Sequence, residues 1–252
     1  MLLTAVIITK NEELNISRCL QSLKDVADEI VVVDSFSTDS TEEICKSFNV
    51  RFVQQEWLGY SEQKNFANGL ASNDWIFSID ADEELSDELK KSILELKNKD
   101  ISDDNMFSMN RLTNYCGHWI RHCGWYPDRK IRIWNRKVGK WQGEVHETIH
   151  FSTEIKENLL AGDLLHYSFA TVQGFEHQMF KFAEMRGKHY FEKGKKHASF
   201  YMVVSPVFAF VQHYLFQLGF LDGADGLHIC HITAKATKYK YQTLKNLIDN
   251  KL

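Results

Sequence analysis

The sequence predicts an α/β fold built on a mostly parallel sheet, and three observations carry that expectation. Short apolar runs rich in β-branched residues recur through the first hundred positions. Each is followed by a stretch with helical apolar spacing. The acidic and polar residues gather just after the runs, where open α/β sheets bind their ligands. Repeated strand–helix units of this length form parallel sheets through right-handed crossovers.

The elements follow in order. Thr4 to Thr9 is the first strand, and Asn11-Glu12-Glu13 opens a helix that runs to about Leu23, with Leu14, Ile16, Leu20 and Leu23 at helical spacing. Ile30 to Val33 reads as a buried parallel strand ending in Asp34. Ser40 or Thr41 caps a helix running to about Phe48. Val50 to Gln54 is the third strand, Tyr60 to Leu70 a helix carrying Gln63, Lys64 and Asn65, and Trp75 to Ile79 the fourth strand. Ser86 or Asp87 opens a helix to Leu96, and Glu83 and Glu84 read as acids favouring its amino end. The polar connection 98–105 leads into an alternating strand, Phe107 to Leu112, and then a His-, Cys-, Trp- and Gly-rich loop or hairpin, Asn114 to Trp125. A strand over 128–136 would set Lys130, Arg132 and Arg136 on one face, either to meet an anion or as an exposed sheet face.

Bulk properties narrow the function. The 252 residues carry a formal net charge of −4, which argues against nucleic-acid binding through a basic surface. The amino terminus reads as a strand rather than a leader, and no unbroken apolar run reaches the roughly 18–20 residues of a membrane span. Five scattered cysteines outline no disulfide framework, which points to a reduced cytosolic setting. Cys116, His118, His122 and Cys123 match no common zinc spacing. Neither a Gly-x-Gly-x-x-Gly loop nor a Gly-x-x-x-x-Gly-Lys-Ser/Thr loop is present, so a bound phosphate must be neutralised by metal and side chains.

Asp80-Ala81-Asp82 is the strongest chemical signal. Carboxylates two apart on an extended segment share a side and offer a divalent cation hard oxygen ligands. Asp82 is the metal candidate, with Asp80 nearer the sugar or ribose; a solvated loop is the plain alternative. Asp34 would hold a base or ribose hydroxyl, or else cap its own turn. Lys64 would reach a phosphate, or lie exposed on its helix. In Trp141-Gln142-Gly143-Glu144-Val145-His146-Glu147, Glu144 and His146 share a face and Glu147 points away, so one carboxylate serves as a general base. His166 completes a metal shell with Asp82, or takes a surface role.

The stretches Ile7-Ile8-Thr9-Lys10-Asn11-Glu12-Glu13, Val32-Val33-Asp34-Ser35-Phe36-Ser37-Thr38-Asp39, Gln63-Lys64-Asn65 and Trp75 to Glu83 resemble the inverting family-2 glycosyltransferases of the GT-A fold. The later Trp141 to Glu147 and Leu165-His166-Tyr167-Ser168 segments resemble the bacterial lipopolysaccharide core β-1,4-glucosyltransferase branch. The resemblance implies a GT-A catalytic domain over 1–170, with a nucleotide-binding half (1–97) and an acceptor-side half (98–170). It implies a nucleotide-sugar site formed by Thr9, Asn11, Glu12, Asp34, Lys64, Asp80 and Ala81, and Mg²⁺ or Mn²⁺ on Asp82 with His166. Glu147 is then the base, with Glu144 in reserve, and a UDP-sugar, UDP-glucose first, is the donor. The acceptor is a glycan or lipid-linked glycan of the cell envelope. A metal-dependent sugar nucleotidyltransferase and a non-catalytic assembly protein on the same scaffold are the rival readings.

Residues 171–252 predict a helical extension. Val172 to Phe191 is a helix with Phe175, Met179, Phe182 and Tyr190 inward, followed by a basic stretch with Lys193, Lys195 and Lys196. Phe200 to Leu221 is strongly apolar and interrupted by Pro206, residues 222–226 read as a turn, and Leu227 to Leu252 as a final helix. A basic stretch leading into an aromatic-rich helix suits contact with the inner-membrane surface; burial against the catalytic domain or in a homo-oligomer is the alternative. The expected location is the cytoplasm, at most peripheral to the inner membrane.

Overall fold

The computed structural model describes residues 1–143 and 147–250. In chain order they form β1 (Leu3–Thr9), α1 (Ile16–Leu23), β2 (Glu29–Asp34), α2 (Thr41–Ser47), β3 (Arg51–Gln54), α3 (Tyr60–Leu70), β4 (Trp75–Ser78), β5 (Glu83–Leu85) and α4 (Asp87–Lys97). There follow β6 (Asn105–Tyr115), β7 (His118–Ile120), β8 (Asp128–Asn135), β9 (Gly139–Gln142), β10 (Thr148–Phe151), β11 (Lys156–Phe169), α5 (Val172–Glu192), α6 (Ala198–Val211) and α7 (Gly223–Asp249). The chain divides into two compact units, Met1–Arg111 with Asp128–Tyr167, and Leu112–Pro127 with Ser168–Leu252.

The first unit is built on a sheet of order β3-β2-β1-β4-β8-β6-β11-β5. β1, β2, β3 and β4 pair in parallel, whereas β8 joins β4 antiparallel, β6 joins β8 antiparallel, and β5 joins β11 antiparallel. The sheet is therefore mixed: the strand–helix repeats build the parallel half, and the segments after residue 104 return antiparallel. Alternation along β1 buries both faces, as parallel strands between helices require. Leu3, Ala5 and Ile7 join Leu20 of α1 and Leu89 and Ile93 of α4 in one apolar cluster. Val6 joins Val31, Val33, Ile76, Ala67 of α3, Trp134 and Trp141 in the other. β9 and β10 form a separate two-stranded hairpin.

The start of α4 is capped as its sequence directs, whereas α2 opens on Ser40 with no side-chain cap, Thr41 Oγ1 donating to Asp39 instead. Ser86 Oγ accepts from Leu89 N at 3.3 Å, capping α4, and also accepts from Asp163 N at 2.9 Å, tying that cap to β11. Arg136 does not share the face of Lys130 and Arg132. Its guanidinium donates to the Asn68 and Ala71 carbonyls at 3.0 and 2.7 Å, at the carboxyl end of α3.

In the second unit Tyr115, Ile120, Cys123, Phe175, Ile229, Cys230 and Ile232 form the core. The 114–125 segment is a hairpin, β7 pairing with Thr113–Tyr115. Asp222 accepts from His122 N and pairs with His122 Nδ1, both at 2.8 Å. Three details differ from expectation. Phe182 is 47% exposed. The apolar segment is α6 followed by a π-helical turn over Gln212–Phe216. The 222–226 segment is helical from Gly223, because Gly226 lets the Gly219 carbonyl approach within 1.9 Å of where a Cβ would stand. The stretch Ala198–Phe216, of mean hydropathy 1.3, is long and apolar enough to cross a membrane by length and composition, and its side chains are largely uncovered within the chain.

Gly162 on β11 has φ +92°, and a Cβ there would stand 2.2 Å from Leu89 N and 2.7 Å from Leu89 Cα. Both the backbone conformation and the close approach of α4 exclude a side chain. Gly162→Ala is expected to destabilise the fold by about 2–4 kcal/mol, read as a lowered urea midpoint; an unaltered midpoint would refute the close approach.

Candidate active site

Strand register gathers the polar strand ends. Thr9 lies opposite Asp34 and Asp34 opposite Gln54, while Val6 lies opposite Ser78 and its carbonyl accepts from Ile79 N. Asp80-Ala81-Asp82 therefore leaves the sheet at the carboxyl edge of β4, beside the end of β1.

The site is organised by a buried cation that the sequence presented only as one member of a basic strand. Arg132 of β8 is 4% exposed. Its Nη2 donates to Asp80 Oδ2 at 2.7 Å and also to Glu83 Oε1. Glu83 is 1% exposed, so it is a buried partner of Arg132 rather than a solvated acid at the start of α4; β5 places it there. Lys64 is likewise buried rather than exposed, with Nζ 3.4 Å from Asp80 Oδ1, 3.6 Å from Glu147 Oε1 and 4.6 Å from the Trp141 ring centroid. Burial opposes ionisation of Asp80, but Arg132 and Lys64 outweigh it and hold the carboxyl well below the usual carboxylate range. Burial, with Asp80 adding repulsion, raises Glu83 despite Arg132. Burial also raises Glu12, where Asp82, Asp39 and Asp80 add repulsion and a hydrogen bond from Asn15 opposes it.

Two cavities share Lys64, Asp80 and Glu147 in their walls. The larger, about 580 Å³, is also bordered by Thr9, Glu12, Ala81 and Asp82. Seven of the residues picked from sequence thus meet around one space. Two border it that the sequence reading passed over, Trp57 and Tyr60, whose rings stand edge to face with centroids 4.8 Å apart. Large aromatics in a polar segment between a short strand and a helix were the available signal. Asn11 and Asp34 lie outside this lining. Asp34 is fully buried and accepts from Ser37 N at 2.8 Å and from Ser37 Oγ, the turn-capping alternative. Asn11, at φ +55°, accepts from Thr38 N at 2.8 Å through its side chain. Glu144 lies outside the described residues.

His166 is brought to Asp82 by strand pairing. It lies opposite Glu83 across β11 and β5, and Tyr167 N donates to the Asp82 carbonyl at 2.9 Å. His166 Nε2 stands 3.1 Å from Asp82 Oδ2. Among the described residues no group of three or more His, Cys, Asp or Glu side chains is arranged to hold a metal. One carboxylate and one imidazole nevertheless fit a cation that draws its remaining ligands from phosphate and water, as Mg²⁺ and Mn²⁺ sites commonly do. Thr9 Oγ1, in the same wall, is buried without a hydrogen-bond partner.

Removing Arg132 would leave Glu83 buried without its hydrogen-bonded cation, with Arg111 remaining at 3.8 Å. Arg132→Met is expected to cost about 3–5 kcal/mol, measured by urea denaturation. A loss under about 1 kcal/mol would mean that the pairing contributes little to the fold.

Comparison with known proteins accords with this geometry. The Glycosyl transferase family 2 model matches residues 4–158. A glycosyltransferase of Rickettsia typhi is 30% identical over 264 residues, covering 97% of this chain and 87% of that protein. The lipopolysaccharide core biosynthesis glycosyltransferase LpsC of Rhizobium meliloti is 30% identical over 263 residues, covering 96% and 94%. The structure of S. aureus TarS 1–349 with UDP aligns at a TM-score of 0.47 and 16% identity, over 100% of this chain and 92% of that one. The chain belongs to glycosyl transferase family 2, and is a glycosyltransferase with a mixed, helix-flanked sheet of the GT-A type and a helical extension.

Proposed function

We propose that this enzyme transfers a hexose with inversion from a UDP-sugar, UDP-glucose first, to a lipopolysaccharide-core or other cell-envelope glycan. The observation that carries the reading is the meeting of Asp82 and His166 with Lys64, Asp80 and Glu147 at the carboxyl edge of β1 and β4. In this reading the larger cavity takes the donor. Trp57 and Tyr60 offer faces for the base, while Lys64 draws the diphosphate and Asp80 accepts hydrogen bonds from a sugar or ribose hydroxyl. Mg²⁺ or Mn²⁺ held by Asp82 and His166 would neutralise charge on the diphosphate leaving group.

Glu147 accepts the proton of the acceptor hydroxyl as that oxygen bonds to the anomeric carbon, opposite the departing diphosphate. Lys64 lies between Asp80 and Glu147 and holds both carboxylates beside the reacting groups. An α-linked donor then yields a β-linked product. Likeness to LpsC, whose name assigns it to lipopolysaccharide core synthesis, supports the choice of acceptor.

We further infer that the second unit contacts the surface of an anionic bilayer. Phe200, Val203, Val207, Phe208 and Phe216 are each more than 60% exposed, and a contiguous apolar face of this kind marks an interaction surface. Lys193, Lys195 and Lys196 precede it, the charge complement of anionic headgroups. In this reading the enzyme works in the cytoplasm, peripheral to the inner membrane.

Two measurements test these readings. Asp82→Asn and Glu147→Gln are each expected to slow glucose transfer from UDP-glucose on the order of a hundredfold or more, with Glu147→Gln retaining UDP affinity by calorimetry. Wild-type turnover in either variant would remove that residue from the chemistry, and an α-configured product by NMR would exclude inversion. The protein is also expected to sediment with phosphatidylglycerol vesicles, and Val207→Glu with Phe208→Glu to cut that binding about tenfold or more. A wild-type protein that stays in the supernatant, or forms a dimer that the same pair abolishes, would overturn membrane contact.

A further inference from the structure

The smaller cavity, about 350 Å³, is lined by Lys64, Asp80 and Glu147 and also by Arg111, Arg129, Lys130, Arg132 and Trp141. We infer that it is the acceptor subsite and that it selects an acceptor sugar carrying an anionic group, a phosphate or a carboxylate. The inference rests on the proposed roles of the larger cavity and Glu147, and it adds the chemical class of the acceptor.

Three observations support it. The first is position: an acceptor in this cavity meets Glu147, the proposed base, because Glu147 borders both spaces. The second is charge. Among the described lining residues, the cations Lys64, Arg111, Arg129, Lys130 and Arg132 outnumber the carboxylates Asp80 and Glu147, and Glu83, Asp128 and Glu157 pair with them from outside the lining.

The third is how those cations are held. Arg132 and Lys64 are buried and committed to Asp80, with Glu83 and Glu147 as further partners. Arg111 donates through Nε and Nη2 to one Asp128 oxygen at 3.0 and 2.8 Å. These three build the wall. Lys130 meets the other oxygen of the same Asp128 at 2.9 Å, so one carboxylate serves two cations. Arg129 approaches Glu157 only to 3.7 Å, and both side chains are open to solvent, a pairing of little strength. The start of β8 thus presents two accessible cations whose partners an anion can supplement or displace, and a guanidinium fork matches phosphate or carboxylate oxygens. Trp141 adds an apolar wall for a sugar ring. Arg111 and Arg132 are held in the wall, whereas Arg129 and Lys130 line the same cavity with solvent-open pairings to Glu157 and Asp128.

The test uses the full chain with saturating UDP and Mn²⁺. Glucose 6-phosphate, glucuronate and methyl glucoside are titrated by calorimetry into wild type and into the double variant Arg129→Ala, Lys130→Ala. At least one anionic sugar is expected to bind about tenfold or more tighter than methyl glucoside. The double variant is expected to erase that preference while UDP affinity stays within about twofold, since neither residue borders the larger cavity. The phosphate and carboxylate arms identify which anion is read. Equal binding of all three sugars, absence of sugar binding, or a preference that survives the double variant would overturn the proposal. If UDP itself fails to bind, the donor reading falls; the same titrations without UDP still decide whether Arg129 and Lys130 select an anion.

Discussion

Arg132 ties the first unit together. It enters from β8, the first antiparallel strand added to the parallel half of the sheet, and grips Asp80 at the end of β4 and Glu83 at the start of β5. A buried guanidinium is tolerable only when carboxylates meet it with hydrogen bonds. Those two carboxylates in turn could not both sit so close in a dry environment without it. One interaction thus fixes the acidic loop at its two ends and leaves Asp82, between them, directed to another partner.

The rest of the site can be read as consequences of that anchoring. Asp80 accepts from Arg132 through one oxygen and faces Lys64 with the other. Lys64 passes the contact on to Glu147. This alternation of charge holds a lysine and two carboxylates around an open space. The acids near Asp82 behave differently. Burial raises Glu12, and repulsion from Asp82, Asp39 and Asp80 adds to it. That side of the site favours an arriving positive charge, whereas the side bordered by Arg111, Arg129 and Lys130 favours an arriving negative one. In the proposed reading these two sides would take the two substrates of the transfer.

The second unit obeys a different constraint. Its core of Tyr115, Phe175, Ile229 and their neighbours is closed, yet α6 keeps its aromatic and β-branched side chains in the open. Helices that are apolar all round normally lie buried in protein or lipid. Pro206 and the π-helical turn interrupt the backbone ladder of this segment.

Much of this was legible in the sequence. Strand–helix periodicity outlined the parallel half, and Tyr60–Leu70 was bounded as α3 is observed. The polar residues after the apolar runs supplied most of the larger cavity's lining, because a parallel sheet always delivers its strand ends to one edge. What local sequence does not encode is which distant charge meets which. Glu83 looked like a helix-start acid and Arg132 like one of three equivalent cations, and only pairing across 49 positions to Glu83 and 52 to Asp80 distinguished them. Likewise His166 was one of 11 histidines until the β11–β5 register set it against Asp82. The chain by itself determined the architecture, since hydrophobic period and turn chemistry act over a few residues. Tertiary structure alone decided the electrostatics, since the strength of a charge depends on its burial and its neighbours, and both are set by the fold.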